Sequence, residues 1–280
     1  MTKIKSKQYS PKIFVSIGVF IIITILTGVY AFTQKATKPQ EQVYIKLKLS
    51  QGLWWSASSN PPIWLAQTIK PGDSEKDLFG NEIATILSKT YYSSQPLKFP
   101  NQHEVYLTVK LATKKDSGTD KYRYKRSPLA VGSPLNIELS SAMITGSVMS
   151  ISQTEPEEDY LTKKITLSNL SKQYAYYTDS TDEFESIKIG DNYFDGQDIA
   201  FRITDKYLKA RSVAFPDING KPVINTLNVN QHIYIDAEIK VKVIDNMYFY
   251  GEEQRVAPGA NLNIITNSQD FSRYTVVSIN

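Results

Sequence analysis

The 280-residue sequence has no cysteine. That absence excludes a disulfide framework, a thiolate nucleophile and every cysteine-based metal site. Histidine is nearly as scarce: His103 and His232 stand alone, each after a glutamine at the start of a predicted strand. A two-histidine metal site would need further ligands that the sequence does not place beside them. The phosphate-binding G-x-x-x-x-G-K-[ST] loop, the G-x-S-x-G elbow and H-E-x-x-H are all missing. Nothing supports an enzyme, and no catalytic residue or cofactor is expected. Basic runs are missing too. The net charge is +4, but Lys3, Lys5, Lys7, Lys12, Lys35 and Lys38 lie in a segment without acids, which leaves the remainder at −2. Nucleic acid needs a cationic face and is set aside as a partner.

What is present begins with an uncharged apolar run, "IFVSIGVFIIITILTGVYAF", from Ile13 to Phe32. Twenty helical residues would span roughly the 30 Å hydrocarbon core. The four preceding lysines predict a basic cytoplasmic tail over 1–12, a transmembrane helix over 13–32 and everything after it outside the cell membrane. Cleavage near Ala31, after "VYA", is the rival reading, but the run exceeds the length of a signal-peptide core. The polar "TQKATKPQEQ" is expected to be a stalk over 33–42. These features predict a single-pass, signal-anchored envelope protein.

The rest of the chain repeats itself. "IKPGDSEKDLFGNEIA" from Ile69 is echoed by "IKIGDNYFDGQDIA" from Ile187, and "QHEVYLTVKLAT" by "QHIYIDAEIKVKV". "YRY" is echoed by "YFY", "VGSPLNIEL" by "PGANLNIIT", and "SVMSI" by "TVVSI". Ile69 and Ile187 are 118 residues apart, Gly80 and Gly196 are 116, Tyr122 and Tyr248 are 126, and Leu135 and Leu262 are 127. Order is kept while loop lengths drift, as in tandem duplication. Two copies are too few for a solenoid. The expectation is a first β-domain over 43–151, a linker over 152–162 whose acidic cluster is solvated, and a second β-domain over 163–280.

Alternating apolar residues in "VYIKLKL", "EVYLTVKL" and "IYIDAEIKVKV" predict half-buried strands. "PPIWLAQTIKPGD" and "TDEFESIKIGD" predict short helices, with Asn60, Thr181 or Asp182 as N-caps, ended at Gly72 and Gly190. The fold class is therefore mostly β: two tandem small barrels or sandwiches of about six strands, each with a short helix.

These blocks carry a resemblance. "PPIWLAQTIKPGD", "GNEIA", "EVYLTVKL", "YRYKRSPLAVGSPLNIE" and "ITGSVMSI" resemble the bacterial membrane-anchored family filed as domain of unknown function 4330. The first copy resembles it across Val43 to Ile151; the second lacks the "PPIW" entry. The resemblance implies an N-terminal anchor and an extracytoplasmic β-domain without an established activity. The order of turn, long strand, "G-S-P-L-x-I" and closing strand is also similar in rhythm to mammalian-cell-entry β-barrel domains, which implies lipid transport. Trp54, Trp55 and Trp64 form the one candidate ligand platform, facing sugar or lipid, although packing in the core or on a bilayer is the commoner use of such rings. Asp191, Asp195 and Asp198 evoke a calcium loop but depart from its spacing and read as turn-stabilising side chains. The tyrosines Tyr122, Tyr124, Tyr248 and Tyr250 read as sheet-packing pairs.

The function these features predict is binding or assembly. The chain would be an adaptor or scaffold of a transport or cell-wall complex, with a protein partner or a second copy, and with lipid or glycan as alternative ligands.

Overall fold

The computed structural model describes residues 20–28, 40–50, 60–94, 102–116, 118–169, 180–211, 214–216, 220–224 and 230–280. It is mostly β, with two sheet regions in sequence. The first contains β1 (Glu41–Ser50), α1 (Ile63–Thr68), β2 (Ser74–Lys76), β3 (Glu82–Ser93), β4 (His103–Lys115), β5 (Tyr122–Tyr124), β6 (Ser127–Pro128), β7 (Pro134–Glu138) and β8 (Met143–Ser152). The second contains β9 (Tyr160–Ser168), α2 (Ser180–Ser186), β10 (Asn192–Phe194), β11 (Ile199–Arg211), β12 (Ala214–Pro216), β13 (Pro222–Ile224), β14 (Asn230–Ile244), β15 (Met247–Tyr250), β16 (Gln254–Val256) and β17 (Thr275–Ile279).

The strand order β2-β3-β4-β1-β8-β7 is matched by β10-β11-β14-β9-β17, with β5–β6 and β15–β16 as side hairpins. Even the irregularities correspond. Bulges skip Ile83 and Ala200, then Leu87 and Thr204, then Met149 and Val277. Gly72 N–H donates to Ile86 O at 2.8 Å and Gly190 N–H to Ile203 O at 2.9 Å; Gly132 N–H donates to Val148 O and Gly259 N–H to Val276 O in the same way. β12 and β13 form a separate hairpin in the second half.

Period-two alternation builds both cores. Val43, Ile45, Leu47 and Leu49 of β1 and Val105, Leu107, Val109 and Leu111 of β4 fill the first. Ile165 and Leu167 of β9 and Ile233, Ile235, Ala237, Ile239 and Val241 of β14 fill the second. The intervening side chains of β1 and β4, among them Lys46, Lys48 and Tyr106, must then face the other way.

The predicted transmembrane helix is not borne out. Among the described residues no helix is long and apolar enough to cross a membrane. The described helical stretch covers residues 20–28, and roughly 20 residues are needed to cross a hydrocarbon core. The apolar run that suggested a span is crowded with Ile, Val and Thr and contains Gly18 and Gly28. Such residues give high hydropathy with poor helix propensity. Within the described stretch Thr24 Oγ1 turns back to Phe20 O at 2.8 Å. The signal-anchor, the membrane as a partner, the single-pass topology and the cell-membrane, extracytoplasmic placement of the envelope adaptor rested on that helix and are not supported. The remainder of 1–32 lies outside the described residues.

Smaller corrections follow. Strand β1 begins at Glu41, so Gln42 belongs to the sheet rather than to a stalk. The N-cap of α1 is Pro62, without a side-chain bond, and Asn60 Nδ2 donates instead to Ser94 Oγ at 2.7 Å.

One repeated device lends itself to measurement. Lys89 Nζ donates to Ala66 O and Ile69 O, both at 2.6 Å, closing the carbonyl end of α1. Lys206 Nζ does the same for Phe184 O of α2 at 2.7 Å. Lys89→Met and Lys206→Met are each expected to lower stability by about 1–3 kcal/mol, the cost of part-buried carbonyls left without a donor, read from urea unfolding.

Candidate functional site: the seam and cleft between the two sheets

Strand β3 outruns its partner β2, which pairs only as far as Thr85. The exposed backbone edge that this would leave is taken by the β10–β11 turn of the second half. Tyr91 N–H donates to Asp195 O at 2.8 Å, and Tyr193 Oη donates to Tyr91 O at 3.0 Å. Tyr92 is carried by alternation onto the outer face, where its ring packs edge-on to Tyr250 at 5.1 Å and against Tyr106 at 6.2 Å. Tyr92 and Tyr106 thus join the core of the second half, not the first.

Two glycines permit the close approach. At Gly196 a Cβ would lie 2.6 Å from Tyr91 Cε1, and at Gly251 it would lie 3.0 Å from the Tyr92 ring. Both also hold positive φ, +100° and +63°, which side chains other than glycine adopt at a cost.

Asp195 sits at the middle of this seam with its side chain fully buried. Its Oδ1 accepts Gln197 N–H at 2.9 Å and Asp198 N–H at 2.8 Å. Its Oδ2 accepts Tyr92 Oη at 3.2 Å and Lys240 Nζ at 3.1 Å. Burial, with Asp195 beside it, pushes the Tyr92 hydroxyl far above its ordinary range, so it stays a donor. Burial pulls Lys240 down, but bonds to Asp198 and Asp195 outweigh it and raise the ammonium above its ordinary range.

A second polar cluster lies alongside. Lys46 pairs with Glu158 and, at 2.9 Å, with Glu252, whose other oxygen takes Lys242 at 2.9 Å. Lys48 reaches Glu253 at 2.8 Å and Glu104 at 3.5 Å. Burial pushes Glu104 up despite Lys48. Burial also acts to raise Glu158, but Lys46, Tyr160 and Lys242 overcome it and hold the carboxyl low. The expectation of a solvated acidic linker therefore fails at Glu158, which fastens the connection to β1.

Beside the seam opens a cleft of about 350 Å³ that both halves line. Ser93 and His103 come from the first half; Asn192, Tyr193, Phe194, Ile265, Thr266 and Asn267 come from the second. The His103 ring stands edge-on to Tyr91 at 6.1 Å. Among these lining residues there is no carboxylate, ammonium or guanidinium. Amides, hydroxyls, the His103 imidazole, Ile265 and the half-exposed Phe194 ring are what a ligand would meet.

Of the residues singled out from sequence, the cleft lining includes only His103 among those described. Trp54 and Trp55 lie outside the described residues, and Trp64 stands 62% exposed on α1 and is not one of the cleft-lining residues. His103 and His232 are not equivalent: Tyr106 pairs with Thr90 and Tyr234 with Tyr207, so Glu104 is the counterpart of His232 and His103 that of Gln231. Asp191 accepts Ser268 N–H at 2.9 Å and the Ser268 hydroxyl, a long-range tie, while in the first half Asp77 accepts Phe79 and Asn81 N–H within its own turn. Lys46, Tyr92, Lys240 and Glu252 were missed, because each looks locally like an ordinary outward-facing strand or turn residue. No family model, no curated protein and no solved structure matches the chain.

Burial ranks the ion pairs. Lys240→Met strands the buried Asp195 and is expected to cost about 3–5 kcal/mol, with the seam failing before either sheet. Lys48→Met, whose partner Glu253 is 44% exposed, is expected to cost about 1 kcal/mol or less. Denaturant unfolding followed by tyrosine fluorescence distinguishes them.

The acid response has a defined sign. Glu158 holds its proton less tightly folded than unfolded, so its contribution is complete above its ordinary value of 4.5 and is lost as pH falls through the lowered folded value. Glu104 slopes the opposite way, since its raised value makes folding favour the protonated form. The stability difference between wild type and Glu158→Gln isolates the first: it is expected to shrink steadily as pH falls below that value, measured by unfolding across an acid series.

Proposed function

We propose that the chain is a non-catalytic binding module in which two β-halves are locked into one body so that both contribute to a single cleft. The composite lining carries this reading: Ser93 and His103 meet Phe194 and Asn267 only while Asp195 holds the halves together. The polar side chains that could do acid–base work at the seam are spent on one another. A lining without carboxylate, ammonium or guanidinium disfavours strongly ionic ligands, which would lose hydration without gaining a fixed counter-charge. Amides and hydroxyls around an aromatic face suit a small neutral ligand with hydroxyl or amide groups and one apolar side.

A screen of neutral polyol and amide fragments by ligand-observed NMR tests this on the full chain. Binders are expected to be displaced together and to be lost in Phe194→Ala, with Trp64→Ala retaining them. Binding that survives Phe194→Ala, or turnover of any hydrolase substrate by the purified chain, overturns the proposal.

A further inference from the structure

The seam uses one surface from each half, and each half possesses both surfaces. In the first half the acceptor is the outer sheet face of Lys46, Thr90, Tyr92 and Tyr106, beside the β3 edge. In the second half the donor is the Asp195–Asp198 turn, with the 251–253 turn next to it. The matched registers and bulges give the counterparts. Asp77 stands where Asp195 does: each receives two turn N–H groups on its Oδ1, and Asp77 N–H bonds Asn81 O as Asp195 N–H bonds Asp198 O. Thr90 and Tyr106 correspond to Tyr207 and Tyr234, and Tyr92 to Lys209.

Both counterpart surfaces are at least partly exposed among the described residues. The Asp77 turn is one residue longer than its equivalent and presents Leu78 and Phe79 at its tip, 101% and 85% exposed. Strand β10 pairs with β11 only as far as Arg202, and beyond it no described strand lies on the outer side of β11. The face there is aromatic: Tyr207 and Tyr234 stack at 5.5 Å with an interplanar angle of 3°, and Lys209 Nζ lies 5.0 and 4.9 Å from the two centroids.

We propose that chains associate head to tail, the Asp77–Asn81 turn of one chain seating on the Tyr207–Tyr234 face of another in repetition of the internal seam. Charge fits this occupant. Asp77 would meet Lys209 where Asp195 meets Tyr92, and the basic Lys125–Arg126 turn, which replaces the acidic 251–253 turn, would lie toward Asp236, the counterpart of Thr108. Leu78 and Phe79 would cover the tyrosine pair. Because donor and acceptor differ, the contact is heterologous and adds chains in one direction, as a ring or a filament.

Sedimentation velocity of the full chain over a wide concentration range tests this. Species beyond the dimer are expected to grow with concentration. Leu78→Asp/Phe79→Asp, which destroys the donor, and Tyr207→Asp, which destroys the acceptor, are each expected to be monomeric alone. Mixed in equal amounts they should form a complex of twice the monomer mass and stop there. Met143→Asp, at another exposed apolar residue, should associate like wild type and controls for general solubility. A wild type that stays monomeric, or variants that do not complement, overturns the proposal. Fragment binding at the cleft is read separately and is untouched by either result.

Discussion

The buried carboxylate of Asp195 is the constraint on which the arrangement of the two halves depends. An ion removed from water costs several kcal/mol unless partners replace its hydration. The four that do so come from both sides: two N–H groups of its own turn, Lys240 of its own sheet, and the Tyr92 hydroxyl of the other half. Tyr92 is in turn held by Tyr250 and Tyr106 and by the space that Gly251 leaves open. The halves therefore cannot slide on one another without stranding a charge. Apolar packing alone would tolerate such a shift; a satisfied polar group specifies one register.

Comparing equivalent positions shows how similar sheets acquired different roles. In the first half Glu75 accepts the Tyr124 hydroxyl and pairs with Lys125, closing a polar contact within its own sheet. In the second half Tyr193 stands in place of Glu75, and its hydroxyl crosses the seam to Tyr91 O. Tyr250, the counterpart of Tyr124, is left with a buried hydroxyl and no hydrogen-bond partner among the described residues. An unmet buried hydroxyl costs about 1–3 kcal/mol. The gain that offsets it is interfacial: the same ring packs against Tyr92.

Much of the chain's organisation is written locally. The glycine-marked turns at Gly72 and Gly190, the alternating strands and the five repeated blocks need only nearest neighbours to be read, and the strand order repeats as they do. The seam could not be read in that way. Asp195 looks like a turn aspartate, which it also is; nothing within ten residues of it announces Tyr92. Glu158 sits among acids in a linker and reveals its partner Lys46 only when that linker is folded back against β1. The histidines mislead for a related reason: a shared "QH" suggested equivalence, but a one-residue offset in pairing register turns a side chain to the opposite face. The apolar run at the N-terminus shows the converse error, in which hydropathy was taken to imply helix length although β-branched residues weaken that inference.

The tether explains why one seam is closed while its counterpart surfaces remain open within a single chain. Only seven residues, 153–159, join β8 to β9, and a short connection gives docking an effective concentration on the order of millimolar. The second half therefore finds the first before any free chain can. The internal seam also adds the Asp195–Lys240 pair and the Lys46–Glu252–Lys242 cluster to its aromatic packing. A contact between chains would have neither the tether nor those buried pairs, since Lys209 replaces Tyr92 and Thr166 lies where Lys46 does. Such a contact must be weaker, formed by aromatic cover and exposed charges that salt can screen. Concentration would then regulate how many halves are joined, and the geometry of the internal seam would set the rotation between successive chains.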